Sequence, residues 1–221
     1  SYNLYILYTR RKGGVTFMIK REGYMSRIRP FIGGDLIKVM TGIRRSGKSV
    51  MLELIKEELL ETGIRPSQFN FEDMRFSHLH TAEALHDEIL KRAGEIEGKV
   101  YLFFDEIQEV AGWERCVNSL RIALDCDIYI TGSNAKLLSG ELATYLGGRY
   151  VEFVIYPFSF GEFLELYHTI DPGSTIQQCF QKYLLAGGMP YLANLHYEEE
   201  PSKQYLTDLF NSVQLKDIVK R

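Results

Sequence analysis

The sequence lacks most of what would take it outside ordinary globular chemistry. It has three cysteines, Cys116, Cys126 and Cys179, widely spaced and without a CxxC pair, which argues against a disulfide framework or a thiolate zinc site. No apolar run reaches the roughly 18 residues of a membrane-spanning helix before a charge interrupts it, so a channel or transporter is excluded and no membrane partner is expected. Neither sign of charge prevails. Against 26 basic residues stand 29 acidic ones, a formal net charge of -3. The global cationic bias of a dedicated nucleic-acid binder is therefore absent, although a local basic patch stays open. There is no internal repeat and no low-complexity tract. What is there is 221 residues, 45% hydrophobic and 25% charged, enough for one sizeable core and a small second lobe. Thiols without partners fit a reducing cytoplasm.

The first 17 residues, SYNLYILYTRRKGGVTF, place an aromatic run ahead of Arg10-Arg11-Lys12 and Gly13-Gly14. The charges follow the apolar run, the reverse of a signal peptide. Two readings compete. Residues 1–17 are a non-native leader ahead of a start at Met18, since Lys-Gly-Gly can be encoded by a purine-rich ribosome-binding sequence; or Leu4 to Tyr8 form an edge strand on β-propensity.

From residue 35 onward, short runs rich in Val, Ile, Phe and Tyr alternate with segments of helical period, which predicts an α/β fold around a mainly parallel sheet. Five strands are expected: Leu36 to Met40, Gln68 to Phe71, Val100 to Phe104, Ile128 to Thr131 and Tyr150 to Ile155. Helices are expected from Val50 to Leu59 with Gly63 as stop, over Ala82 to Ala93, over Trp113 to Leu124, and after a Ser159 cap. Asp171-Pro172-Gly173 predicts a boundary, giving a larger α/β domain over 18–173 and a helical C-terminal region over 174–221. In that region two helices, Thr175 to Leu185 and Lys203 to Val219, are separated by Ala186-Gly187-Gly188-Met189-Pro190, and Ser174 with Gln177 has capping-box spacing.

The strongest chemical signal is Gly42-Ile43-Arg44-Arg45-Ser46-Gly47-Lys48-Ser49, the pattern GxxxxGKS/T between an expected strand and an expected helix. A polyphosphate is wrapped only where successive backbone N–H groups turn toward it. Glycine is then needed where a side chain would block approach or demand a forbidden φ. Gly42 and Gly47 meet that need. The pattern assigns the Lys48 ammonium to the β- and γ-phosphates, the Ser49 hydroxyl to Mg2+, and the helix N-terminus to the remaining charge. Ile43, Arg44, Arg45 and Ser46 complete the cradle; the two arginines either add charge beside the phosphates or face solvent.

Downstream, Val100 to Glu106 read VYLFFDE, an apolar strand ending in two carboxylates at the edge where open parallel sheets present ligands. Alone, such an ending also fits a solvated turn. With the loop upstream it is a Walker B pattern, with Asp105 holding the Mg2+ shell and Glu106 polarising the attacking water as general base. A further strand runs into Gly132-Ser133-Asn134. Asn134 is the candidate sensor of γ-phosphate or water, and its alternative is a cap or turn role. Arg149, just ahead of the last strand, is either an arginine finger for a neighbouring subunit of a homo-oligomer or a solvated surface arginine.

Together, the loop at 42–49, Phe103-Phe104-Asp105-Glu106, Thr131-Gly132-Ser133-Asn134 and Gly148-Arg149 resemble the AAA+ P-loop ATPases, in that family's order. TGIRRSGKS, DEIQEVAGWE, TGSNAKLLSGELATYLGGRY and YPFSFGEF resemble, more narrowly, the prokaryotic predicted ATPases that end in a domain of unknown function. The resemblance covers about residues 18–221 and implies a sheet order of 5-1-4-3-2. It also implies that 174–221 begin a winged-helix-like part that this chain truncates.

Other chemistries find little support. His78, His80 and His86 do not share a helical face and have no cysteine beside them, there is no GxSxG, and the guanine-reading NKxD is absent. The expected function is ATP hydrolysis to ADP and phosphate with Mg2+, coupled to a conformational change. The alternative is a slow nucleotide-dependent switch controlling a protein or nucleic-acid partner. A third reading, phosphotransfer, leaves Glu106 without a task.

Overall fold

A computed structural model describes residues 7–11, 14–132, 144 and 146–213. At the N-terminus, β1 (Leu7–Arg11) and β2 (Gly14–Met18) form an antiparallel hairpin, where a single edge strand ending at Tyr8 was one expectation. Then come α1 (Glu22–Ile28), β3 (Ile37–Thr41), α2 (Lys48–Glu61), β4 (Ser67–Asn70), α3 (Ala82–Ala93), β5 (Val100–Asp105), α4 (Trp113–Ala123), β6 (Cys126–Thr131) and β7 (Tyr150–Val154). The helices α5 (Phe160–Ile170), α6 (Ile176–Ala186) and α7 (Glu199–Val213) follow.

β3 to β7 make one sheet in the order β4-β5-β6-β3-β7, and every neighbouring pair is parallel. In chain order of these five strands that is 5-1-4-3-2. β3 and β6 are buried at every position, as a strand covered on both faces must be. α3 and α4 contribute Leu85, Ile89, Val117 and Leu120 to a core shared with Phe69, Phe104 and Ile128. α2 stops where expected. Gly63 takes φ 85°, and Ile64 donates back to the Leu59 carbonyl at 2.9 Å, a glycine C-cap that frees the chain to turn.

The chain divides into two compact units, one of residues 24–42 and 48–155, the other of 1–23, 43–47 and 156–221. The turn at 171–173, where sequence predicts a boundary, joins two helices of the second unit. α5 and α6 share a core of Phe163, Leu166, Cys179, Leu192 and Tyr197, so the chain does not part there. Ser159 caps α5 in a full capping box with Glu162. The box opening α6 is Thr175 with Gln178, one residue beyond the expected Ser174 and Gln177, because Ser174 instead donates to the Asp171 carboxylate. The break after α6 has a packing cause. A Cβ on Gly188 would lie 2.1 Å from the Phe158 carbonyl oxygen, to which Tyr183 Oη also donates at 2.9 Å.

Candidate nucleotide-binding site

β3 ends at Thr41 and α2 begins at Lys48, so six residues make the turn. Gly42 takes φ 140° and Gly47 φ 104°, values that tax any side chain, and Arg45 adopts a left-handed φ of 64°. Ser46 N–H donates to the Ile43 carbonyl at 3.3 Å. Ile43 is exposed and Ser46 buried. Two buried polar atoms of this segment, Ser46 Oγ and Arg44 Nε, have no hydrogen-bond partner among the described residues. Buried polar atoms are nearly always paired, and a phosphate oxygen would accept from both, so the segment fits the polyphosphate its sequence predicts.

In the sheet unit, Lys48 is almost completely buried, and its Nζ donates to the Gly42 carbonyl at 3.1 Å. Asp105 is 3% exposed at the tip of β5. The parallel register sets Asn70, last residue of β4, beside it, and Asn70 Nδ2 donates to Asp105 Oδ2 at 3.1 Å. From the other side, Thr131, last residue of β6, donates to Asp105 Oδ1. Ser49 Oγ donates to the same oxygen at 3.0 Å. Burial raises the Asp105 pKa above the ordinary carboxylate range, against the hydrogen bonds from Thr131 and Ser49, and the neighbouring Glu106 charge adds to the rise. An anion so desolvated favours a cation beside it. Ser49 and Asp105, a hydroxyl and a carboxylate in contact, are hard oxygen donors of the kind Mg2+ takes.

Glu106 has a left-handed φ of 55°, strain that a non-glycine residue holds only where its surroundings impose it. Its N–H donates to Thr131 Oγ1 at 3.1 Å, and Gln108 Nε2 donates to Glu106 Oε2. Thr131 thus binds both carboxylate residues, and the left-handed backbone at Glu106 turns the chain out of the strand line that Asp105 ends.

Lys48 and Ser49 open α2, Asp105 closes β5 with Glu106 next in the chain, and the Ser49–Asp105 hydrogen bond brings these two pairs together. Arg149 does not join them. It is exposed and precedes β7, with its carbonyl bonded to Ile37 N–H at the start of β3, the opposite end of the strand from the loop. Asn134 lies outside the described residues. Sequence reasoning missed Asn70, Thr131 and Gln108; the signal for the first two is a polar residue closing each strand that flanks the Walker B strand. The cysteine thiols play no part: Cys116 and Cys126 are buried, which pushes their pKa values up to about 12 and about 11.

A parallel sheet in this order, with the glycine loop after its second strand in space and paired acids two strands away, defines a P-loop nucleotide-binding fold of the AAA+ class. The chain belongs to the AAA domain family, whose model matches residues 35–164. An uncharacterized protein of Haemophilus influenzae is 40% identical over 208 residues, 92% of this chain and 51% of the relative. One of Methanocaldococcus jannaschii is 34% identical over 194 residues, 84% of this chain and 42% of the relative. The chain thus spans about half the length of these curated relatives or less. Among solved structures, C. elegans PCH-2 superposes with a TM-score of 0.52 at 14% identity, over 90% of this chain and 69% of that one. The replication initiator DnaA bound to AMPPCP and single-stranded DNA gives 0.53 at 15%, over 89% and 64%. At such identities these likenesses concern the fold alone. No helix among the described residues is long and apolar enough to cross a membrane.

Proposed function

We propose that this chain hydrolyses ATP to ADP and phosphate with Mg2+, and that the nucleotide state sets its conformation. The observation that carries the reading is Asp105, buried at a strand tip and held by Ser49, Asn70 and Thr131. Lys48 binds the β- and γ-phosphates in exchange for its present bond to the Gly42 carbonyl. Ser49 and Asp105 hold Mg2+, which when bound would neutralise charge on the phosphate oxygens. Glu106, with one oxygen fixed by Gln108, accepts a proton from the attacking water at its carboxylate. Gly42, Ile43, Arg44, Arg45, Ser46 and Gly47 wrap the phosphates. Asn134 is retained as the sensor, and Arg149, exposed far from its own loop along β3, as a finger toward the site of a second copy in a homo-oligomer. The absence of paired cysteines favours a cytoplasmic setting.

The test is Glu106→Gln. It should keep ATP affinity within a few-fold and lower turnover by about 100-fold to 10,000-fold, the range for losing a general base, read by phosphate release and by retention of labelled ATP. Full turnover would remove Glu106 from the reaction. A protein or nucleic acid that raises wild-type turnover would point to a motor. Slow turnover with retained ADP, unchanged by either, would point to a switch.

A further inference from the structure

Arg21 is 3% exposed and takes a left-handed φ of 47° ahead of α1. No nucleotide-binding motif includes it, yet it holds the middle of the glycine loop. Its Nη1 donates to the Ser46 carbonyl at 3.1 Å, and its Nη2 to the Tyr156 carbonyl at 2.8 Å. Nε and Nη2 donate to the two Glu162 carboxylate oxygens at 2.8 and 3.3 Å. Glu162 is in turn fixed by the Ser159 N–H and hydroxyl in the capping box of α5. A Cβ on Gly47 would come within 3.3 Å of Arg21 Nη1, so glycine at this position also admits the guanidinium. A second link runs from the loop to α7, where the Arg45 guanidinium carbon sits 5.5 Å from the centre of the Tyr205 ring.

The consequence follows from peptide geometry. The Ser46 carbonyl and the Gly47 N–H belong to one planar trans peptide and point in opposite directions. A donor that fixes the carbonyl therefore fixes the N–H, one of those a phosphate loop must aim at its ligand. We propose that Arg21 is a positioning residue for the phosphate loop: by tying the Ser46 carbonyl to Glu162 and Tyr156 it presets the 46–47 peptide, so that affinity for a nucleoside triphosphate depends on the C-terminal helices. This rests on the reading of 42–49 as a phosphate-binding loop. The planar fork matters, because it meets a carboxylate with two donors and still reaches two carbonyls at fixed spacing, a geometry the compact lysine ammonium does not match.

The experiment is equilibrium titration of a fluorescent ATP analogue, with Mg2+, into the wild type, Arg21→Ala and Arg21→Lys, each with a melting curve recorded without nucleotide. Arg21→Ala should bind about 10-fold to 100-fold more weakly, the range for losing a hydrogen bond from a charged donor. Guanidinium chloride at tens of millimolar should restore much of that loss, whereas equal sodium chloride or urea should not. Arg21→Lys keeps an ion pair with Glu162 and hence the melting midpoint, but should bind nearly as weakly as the alanine variant. Wild-type affinity in Arg21→Lys, or loss in Arg21→Ala that guanidinium leaves untouched, overturns the proposal. If Arg21→Ala does not fold, Arg21→Lys alone decides it. A wild type that binds no nucleotide would instead overturn the phosphate-loop reading.

Discussion

Two buried clusters pair a lysine with a carboxylate region at opposite ends of the same sheet, and they are built on opposite terms. At the start of β3 and β6, Lys38 and Asp127 are wholly buried and paired. Lys38 also donates to the Gly34 carbonyl at 3.0 Å, while Asp127 accepts from Gly33 N–H at 2.7 Å and Tyr129 Oη at 2.9 Å. Burial pulls the Lys38 pKa down and Asp127 opposes it. Every partner comes from the protein, so the cluster is closed. At the other end, Lys48 rests on a carbonyl, Asp105 is held by neutral donors, and the loop just ahead of Lys48 carries Ser46 Oγ and Arg44 Nε without partners among the described residues. A closed cluster specifies a fold; an open one is complementary to something that arrives.

The sharpest way to break this contrast is one substitution made at both lysines. Lys38→Met strands the Asp127 charge in the core and should cost about 3–5 kcal/mol of stability, read by denaturant unfolding. Lys38→Met/Asp127→Leu, which removes both charges, should recover most of that loss. Lys48→Met should leave unfolding nearly unchanged and weaken ATP-analogue binding by roughly 100-fold, as truncating a charge at a binding site does. If Lys48→Met unfolds the protein as readily as Lys38→Met, the two clusters do not differ in kind.

Thr131 carries the next largest effect. Its hydroxyl donates to Asp105 and accepts from the Glu106 N–H, so Thr131→Val, equal in shape, leaves the buried Asp105 carboxylate and the half-buried Glu106 N–H each short of a partner. A loss of about 1–3 kcal/mol of stability is expected, with slower phosphate release, since the backbone at Glu106 loses its anchor. An unaltered rate would mean that the Thr131 bond does not position Glu106.

These residues also show what the sequence makes legible. The strands and the glycine loop announce themselves locally, through apolar runs and a fixed spacing, and even the 5-1-4-3-2 order follows from resemblance. Asn70, Thr131 and Arg21 do not, because their roles exist only in register or in contact. Asn70 is 35 residues from Asp105 in the chain, and Arg21 is 141 from Glu162. Nothing in a one-dimensional pattern marks a polar strand end as a partner until neighbouring strands are aligned. The boundary expected at 171–173 shows the converse limit: proline and glycine reveal a turn, but the apolar faces on either side decide whether the chain parts there.

The smallest expected effect tests the open cluster most directly. Ser46 Oγ is buried and has no partner among the described residues, so in the nucleotide-free protein its hydroxyl should contribute only a desolvation cost. Ser46→Ala should therefore leave the melting midpoint unchanged or raise it slightly, within about 0.5 kcal/mol or in the stabilising direction, because deleting a buried polar group that has no partner removes a penalty. Binding of the ATP analogue should weaken by a few-fold, since a phosphate oxygen would have accepted from that hydroxyl. The two readouts move in opposite senses, a pattern that loss of an ordinary structural hydrogen bond cannot produce. A clear fall in the melting midpoint would show that Ser46 already has a partner and that this end of the strands is as closed as the other.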